Sequence, residues 1–423
     1  FTSTPADGRL FEVGTAWTVY AQANPPGPNP TPTPTPGQAF TLTTSADTVA
    51  GNYGVINGIY NQTAQAGNAI TQYTAQVLDT IAVTAANAVA NVNVTSVAPN
   101  LNFATQPIFN GVKTFNITNS TGNTQVNGGI IPSATALSIT ANGGAATGGT
   151  ITNVGSALSS FSLIGNNAGA LNTTITFASG TRTGSSDAFT LNYTNNILNT
   201  GGVTGFQTLL GTNAGEGIEV VNLNPTGANA LTTLTSLDLL GGPGAATRLA
   251  TLNITGTGSV VIGAALAFSG TTSTINASTN SGGVDVLVGG ATATTFTGGS
   301  GNDVLRFNAA GEFTTADVIN LGTGSNTLFL ADAAIGAAAS ANLNASINAV
   351  TTAQTIGIAA NGTNFDFSRI TQSRLTLGNA SNATVQNVAS TDTVLVQGVA
   401  AGNTVIQGAL GFNSLKLVLE ATR

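Results

Sequence analysis

Cysteine, histidine and methionine are all absent from this 423-residue chain, and tryptophan occurs once. Without imidazole or thiol, the usual general base, the usual thiol nucleophile and most transition-metal ligands are excluded. Charge is nearly as scarce. There are 9 basic and 16 acidic residues, 6% of the chain, against roughly 25% in an average globular protein. A net charge of −7 with no Lys/Arg cluster excludes nucleic acid as a partner. No apolar run reaches the length of about 18 residues that a membrane-spanning helix needs. The expectation is a non-enzymatic protein without a transmembrane helix.

What is present is equally particular. Hydrophobic residues make up 41%, so low charge here does not mean disorder. Thr, Ser, Asn and Gln must cover the surface instead. A cysteine-free, threonine-rich chain avoids disulfide mispairing in an oxidising compartment, which predicts an extracellular location. A chain beginning at Phe1 reads as processed or trimmed, with any signal peptide removed.

Residues 10–22 read LFEVGTAWTVYAQ, in which Phe11, Val13, Trp17 and Val19 recur at period two and predict a strand. Next comes NPPGPNPTPTPTPG (24–37), which holds seven of the 13 prolines. Such a segment is a stiff polyproline-type spacer. It serves either as a tether or to carry the apolar strand onto a neighbouring subunit's sheet edge. Ile70, Tyr73, Val77, Leu78, Ile81 and Ala85 fit helical spacing and suggest a short helix over 65–90, with strand-loop-strand as the alternative.

From about residue 100 short apolar bursts recur: VKTFNIT (112–118), ATALSIT (134–140), LSSFSLI (158–164), LTSLDLL (234–240) and RLATLNIT (248–255). Val112/Phe115/Ile117 and Leu249/Leu252/Ile254 show the shared apolar-x-x-apolar-x-apolar core. One strand per 20-odd residues marks a solenoid whose coils bury their apolar sides against each other. A sandwich of short strands would share much of the pattern. The predicted fold is all-β, an elongated parallel β-solenoid or β-roll-like body with irregular long loops. The divisions read from these changes are an N-terminal strand segment (1–23), the linker (24–37), an N-terminal β region (38–110) and solenoid repeats (111–279). A glycine-rich, calcium β-roll-like segment (280–330) and a C-terminal β region (331–423) complete the chain.

Residues 298–306 read GGSGNDVLR and fit the calcium nonapeptide G-G-x-G-x-D-x-U-x. Two such units form one coil, so calcium-binding carboxylates should lie 18 residues apart. Asp285 precedes Asp303 by that interval, and Leu287, Phe296 and Leu305 keep a nine-residue apolar beat. Calcium takes six or more hard oxygens, which turn carbonyls can complete. The ligand set on this reading is Asp285 and Asp303, with Gly301 and Asn302 of the turn and Asn326 as a poorer, out-of-register member. The competing reading is glycine turns with Asp as a turn cap. Glu216 and Glu219 read as solvated on opposite faces of a strand. Asp366 and Arg369 form a candidate local ion pair.

FTGGSGNDVLRF, FNGVKTFNIT and RLATLNITGTG, set in a Thr/Ala/Asn/Gly-rich background, resemble bacterial surface-layer proteins of the calcium-dependent, repeats-in-toxin type. The resemblance covers roughly 38–423, and the nonapeptide is its specific motif. It implies export to the bacterial cell surface and a two-dimensional lattice of copies of the chain. It also implies calcium held by Asp285 and Asp303, with Gly298, Gly299 and Gly301 forming the turn. Partners would be other copies and cell-surface polysaccharide. Few nonapeptides and the Trp17 strand with its proline spacer depart from that family's pattern. A filament built by strand exchange and a calcium-binding adhesin are the alternatives.

Overall fold

The computed structural model describes residues 2–3, 11–12, 37–42, 48–60, 80–94, 100–103, 108–120, 123–141, 149–165, 173–195, 203–210, 216–226, 231–240, 248–270, 272–290, 293–332, 335–337, 341–358, 364–378, 382–397, 404–409 and 417–420. Two long sheets dominate. A twelve-stranded sheet runs from Gln38–Leu42 through Thr114–Ser120 and Ala188–Asn195 to Val318–Asn320. A fourteen-stranded sheet runs from Asn100–Phe103 to Leu417–Glu420. Successive strands of the chain alternate between the two over most of their length, so each coil contributes one strand to each. All ladders within the two sheets are parallel. This is the β-solenoid that the recurring bursts predict.

The cause is visible in the register. Phe115 lies beside Leu137, then Phe161, Leu191, Leu223 and Ile254 in successive coils. All six are buried. One apolar position per coil therefore builds one continuous row inside the body. Alternate residues face inward, as in Val220–Thr226, where Val221, Leu223 and Pro225 are buried and their neighbours half-buried. Parallel strands cannot be joined by tight hairpins; the coil closes instead by crossing to the other sheet. Phe177 meets Phe189 edge-on at 5.5 Å between the two long sheets, and Phe109, from a separate three-stranded sheet, meets Phe115 of the twelve-stranded sheet at 4.6 Å. Such pairs contribute about 0.5–1.5 kcal/mol beyond area burial.

The outer side of the twelve-stranded sheet is stitched by neutral side chains. Asn91 donates to Asn57, and Asn116 donates to Asn91, both at 2.9 Å. Further along, Asn224 bonds Asn192, Asn253 bonds Asn222, and Thr194 meets Thr226. These ladders use the Asn and Thr that replace charge in the composition.

Ladders cross the divisions read from the sequence. Asn91 pairs with Asn116, Val260 with Val284, and Leu328 with Ile356, so the body is continuous across 110/111, 279/280 and 330/331. The helix expected over 65–90 is corrected where it is described: Thr80–Val83 and Val89–Val94 are strands. Residues 61–79 lie outside the described residues. Of the apolar residues that suggested a helix, Ile81 is buried in the strand Thr80–Val83 and Ala85 is buried in the bend that follows it. A helix occurs instead at Ala341–Ala349, where the twelve-stranded sheet has ended and the other continues.

Candidate functional site

The GGSGND turn is one step of a stack. Asp303 and Asn326 occupy equivalent positions in two successive turns, the place that Val284 holds in the turn before, and Asn280 lies four residues ahead of Val284; all three polar residues are buried. Asn280 accepts from the backbone N–H groups of Gly282 and Gly283 through Oδ1, and its Nδ2 donates to the carbonyls of Thr255, Gly256 and Gly258. Asp303 accepts from Val284 N–H at 2.8 Å through Oδ1 and from Gly299 N–H at 2.9 Å through Oδ2. Asn326 accepts from Asp303 N–H at 2.8 Å and donates to the carbonyls of Gly322 and Thr352. Gln354 accepts from Asn326 N–H in turn. Each polar side chain thus satisfies backbone groups of the coil before it, groups that burial would otherwise leave unpaired.

Close stacking explains the glycines. A Cβ on Gly299 would lie 1.9 Å from the Asn280 carbonyl oxygen, and one on Gly301 would lie 2.2 Å from Gly283 N. Asn302 is exposed, and its Oδ1 accepts from Ser325 N–H.

The expected calcium pair is not brought together. Asp285 stands beside Val304, one residue past Asp303; the coil advances 19 residues here, as between Val284 and its partner Asp303. In a strand a one-residue offset moves a side chain to the opposite face. Asp303 therefore turns inward while Asp285 faces outward, where Arg306 grips it through Nε at 2.6 Å and Nη2 at 2.7 Å. The same offset corrects the apolar beat: Val286, not Leu287, stacks on Leu305, and Leu287 lies beside Arg306. The donor arrangement does not fit calcium. One carboxylate is engaged by a guanidinium and the other by two backbone N–H groups. Among the described residues no group of three or more His, Cys, Asp or Glu is gathered to hold a metal ion. A titration from chelator to millimolar calcium should leave the melting midpoint, read by circular dichroism, unchanged.

Comparison with known proteins gives no match. No family model, curated protein or solved structure matches the chain.

Other acids repeat the capping device. Glu312 accepts from Gly290 and Ala309, and Asp317 from Thr294 and Thr314. Glu216 and Glu219, expected to be solvated, are both buried. Glu216 accepts from Gly180 N–H, while Glu219 accepts from Asp187 N–H and pairs with Arg248. They reach back one coil, which the strand pattern alone does not reveal. The available signal was spacing: an acid one coil length after a turn. Arg182 is buried as well, donating to the Leu158 carbonyl with its guanidinium 4.9 Å over the Phe177 ring.

Arg306 extends the outer rank, lying between Leu287 and Phe329 in register and 4.8 Å over the Phe329 ring. The hydrogen bonds to Asp285 hold its pKa above the ordinary value despite partial burial. The pair remains open to solvent, with 38% of the Arg306 and 25% of the Asp285 side chain exposed. Asp285→Asn should therefore lower stability in chemical denaturation by no more than about 1 kcal/mol. The expected Asp366–Arg369 pair forms at 3.3 Å, and Asp366 also caps Ser368 N–H and accepts from Asn387.

A cleft of about 450 Å³ opens between residues 314–319 and the helix Ala341–Ala349. Val318, Ile319, Ala345 and Ala349 contribute to its lining. Its one acid, Asp317, is engaged by Thr294 and Thr314. Of the N-terminal assembly residues, Phe11 pairs with Ser3 in a two-stranded antiparallel ladder. Val13, Trp17 and Val19 lie outside the described residues.

Proposed function

We propose that this chain is a non-enzymatic, extracellular structural subunit that self-assembles into an array at the bacterial cell surface. The observation that supports it most is the use made of the reactive side chains. The acids of the turn stack and its neighbours, namely Asp303, Glu312, Asp317, Glu216 and Glu219, close the turns of one continuous solenoid. Rigid bodies with charge-poor surfaces suit close packing, because like-charge repulsion between copies is small. Calcium is not required by this reading. A form of it in which calcium stiffens one coil requires Asp285 to leave Arg306 and Asp303 to leave its two N–H donors.

Electron microscopy and light scattering of the purified chain, from chelator to millimolar calcium, test the proposal. Regular sheets or filaments are the expected result. A monomer at every calcium concentration overturns it.

The strand-exchange filament is favoured by one feature. The strand Val318–Asn320 is an edge of the twelve-stranded sheet, beside the cleft, with Val318 64% exposed. An added strand would find unpaired backbone groups there. Removing residues 1–37 abolishes assembly on this second reading; on the first reading assembly survives the truncation.

A further inference from the structure

None of the twelve strands of the twelve-stranded sheet contains Asp, Glu, Lys or Arg. The other long sheet does carry charge in its strands, at Asp285, Arg306 and Arg374 among others. The neutral face is organised in ranks. Thr114, Ala136, Ser160, Thr190, Asn222, Asn253, Asn276, Thr297 and Asn320 follow one another across neighbouring strands. Beside them runs a second rank, Asn57, Asn91, Asn116, Ser138, Ser162, Asn192 and Asn224.

We infer that this face is the surface through which one copy of the chain packs against a second copy. The inference rests on the self-assembly reading and names the contact it would use.

Three arguments select another copy as the occupant. The first is charge. The whole chain carries −7, so two copies repel except where a face is neutral. Burying charged groups in an interface is costly unless each is paired, and here there is none to bury. The second is self-complementarity. An Asn in a ladder gives one N–H and one carbonyl lone pair to its neighbours, and keeps one of each. A face offering donors and acceptors alike, at the inter-strand spacing of about 4.8 Å, matches an identical face. Stacked sheets bearing Asn ladders associate in this way.

The third argument is size. Eleven inter-strand steps span about 53 Å, and the two outward ranks cover about 13 Å along the strands. Each face thus offers roughly 700 Å², or about 1,400 Å² for the pair, within the range of stable specific interfaces.

The test places three lysines on this face, Ser162→Lys, Thr274→Lys and Thr295→Lys together. A control carries Thr152→Lys, Thr174→Lys and Thr176→Lys on the outer side of the other sheet. Circular dichroism melts establish that both fold. Assembly is followed by light scattering against protein concentration. The expected result is at least a ten-fold rise in the concentration for half-assembly in the first variant, with little change in the control. If wild type assembles and the two variants do not differ, the surface is wrong and the self-assembly reading stands. If wild type never assembles, both fall. Co-sedimentation of monomeric wild type with an insoluble neutral glucan, lost in the first variant, would assign the face to polysaccharide and overturn the inference.

Discussion

Alanine at position 299 should lower the stability of the chain by at least about 3 kcal/mol, in the range of severe overpacking. Its methyl group would stand 1.9 Å from the Asn280 carbonyl oxygen and 2.8 Å from that of Ala277. Both obstacles are backbone atoms of the preceding turn, and neither can swing aside as a side-chain tip would. The Asn280 carbonyl also accepts from Ser300 N–H, so displacing it breaks a bond between coils. Gly290→Ala supplies the contrast. Gly290 has φ +98 with open space around it, so alanine there meets only backbone strain, about 1–2 kcal/mol. Denaturant midpoints of the two variants separate these causes. Equal losses would mean that close stacking of the turns is not what selects glycine in GGSGND.

Asp303→Ala should cost about 2–5 kcal/mol. It strands the N–H groups of Val284 and Gly299 in a place without solvent, each worth about 1–3 kcal/mol. Asp303→Asn keeps one acceptor oxygen and should lie between wild type and alanine. Asp285→Asn should be nearly silent. Paired calcium ligands would instead make the two positions comparably sensitive, and only in the presence of calcium.

Asp303 also carries a pH signature. Burial raises its pKa above the usual carboxylate value, against the opposing pull of the Val284 and Gly299 hydrogen bonds. The folded chain therefore holds this proton more tightly than the unfolded chain. The contribution of the group is fully present below the unfolded value of about 4 and is lost as pH rises through the folded value. Asp366 has the opposite sign. Burial pushes it up, but hydrogen bonds from Asn387 and Ser368 and the Arg369 charge outweigh burial and hold it below the usual value. Its contribution is present above about pH 4 and lost as pH falls. Urea denaturation of wild type and Asp303→Ala across this range should show a gap that narrows as pH rises.

The repeating coil was legible because one residue pattern serves two purposes. Alternation defines the strand, and recurrence of Phe115, Leu137 and Phe161 defines which strands lie side by side. The turns were harder to read. An 18-residue interval and a 19-residue interval look alike in a list of glycines, yet they send Asp285 to opposite faces of the sheet. The distinction depends on how many residues the turn absorbs, and no apolar pattern records that number. The strand pattern misses the burial of Glu216 and Glu219 for a related reason. Their partners lie a whole coil away, at Gly180 and Asp187, beyond any local window. The helix at Ala341–Ala349 reads ANLNASINA, with Asn at three of nine positions, and Asn is a weak helix former.

Among the described residues the side-chain ladders of the twelve-stranded sheet join neighbouring coils, with partners 21 to 34 residues apart, and Arg248 reaches Gly184, two coils back. The strands Gln38–Leu42 and Leu417–Glu420 lie at edges of the two long sheets, so a pull on both ends of the chain loads the stack along its length. Coils should then peel away singly from an edge, each releasing about 70–120 Å of extended chain. Stretched between two anchored points, such a body yields one coil at a time and shortens again when tension drops, so the unequal coil lengths set the size of each step.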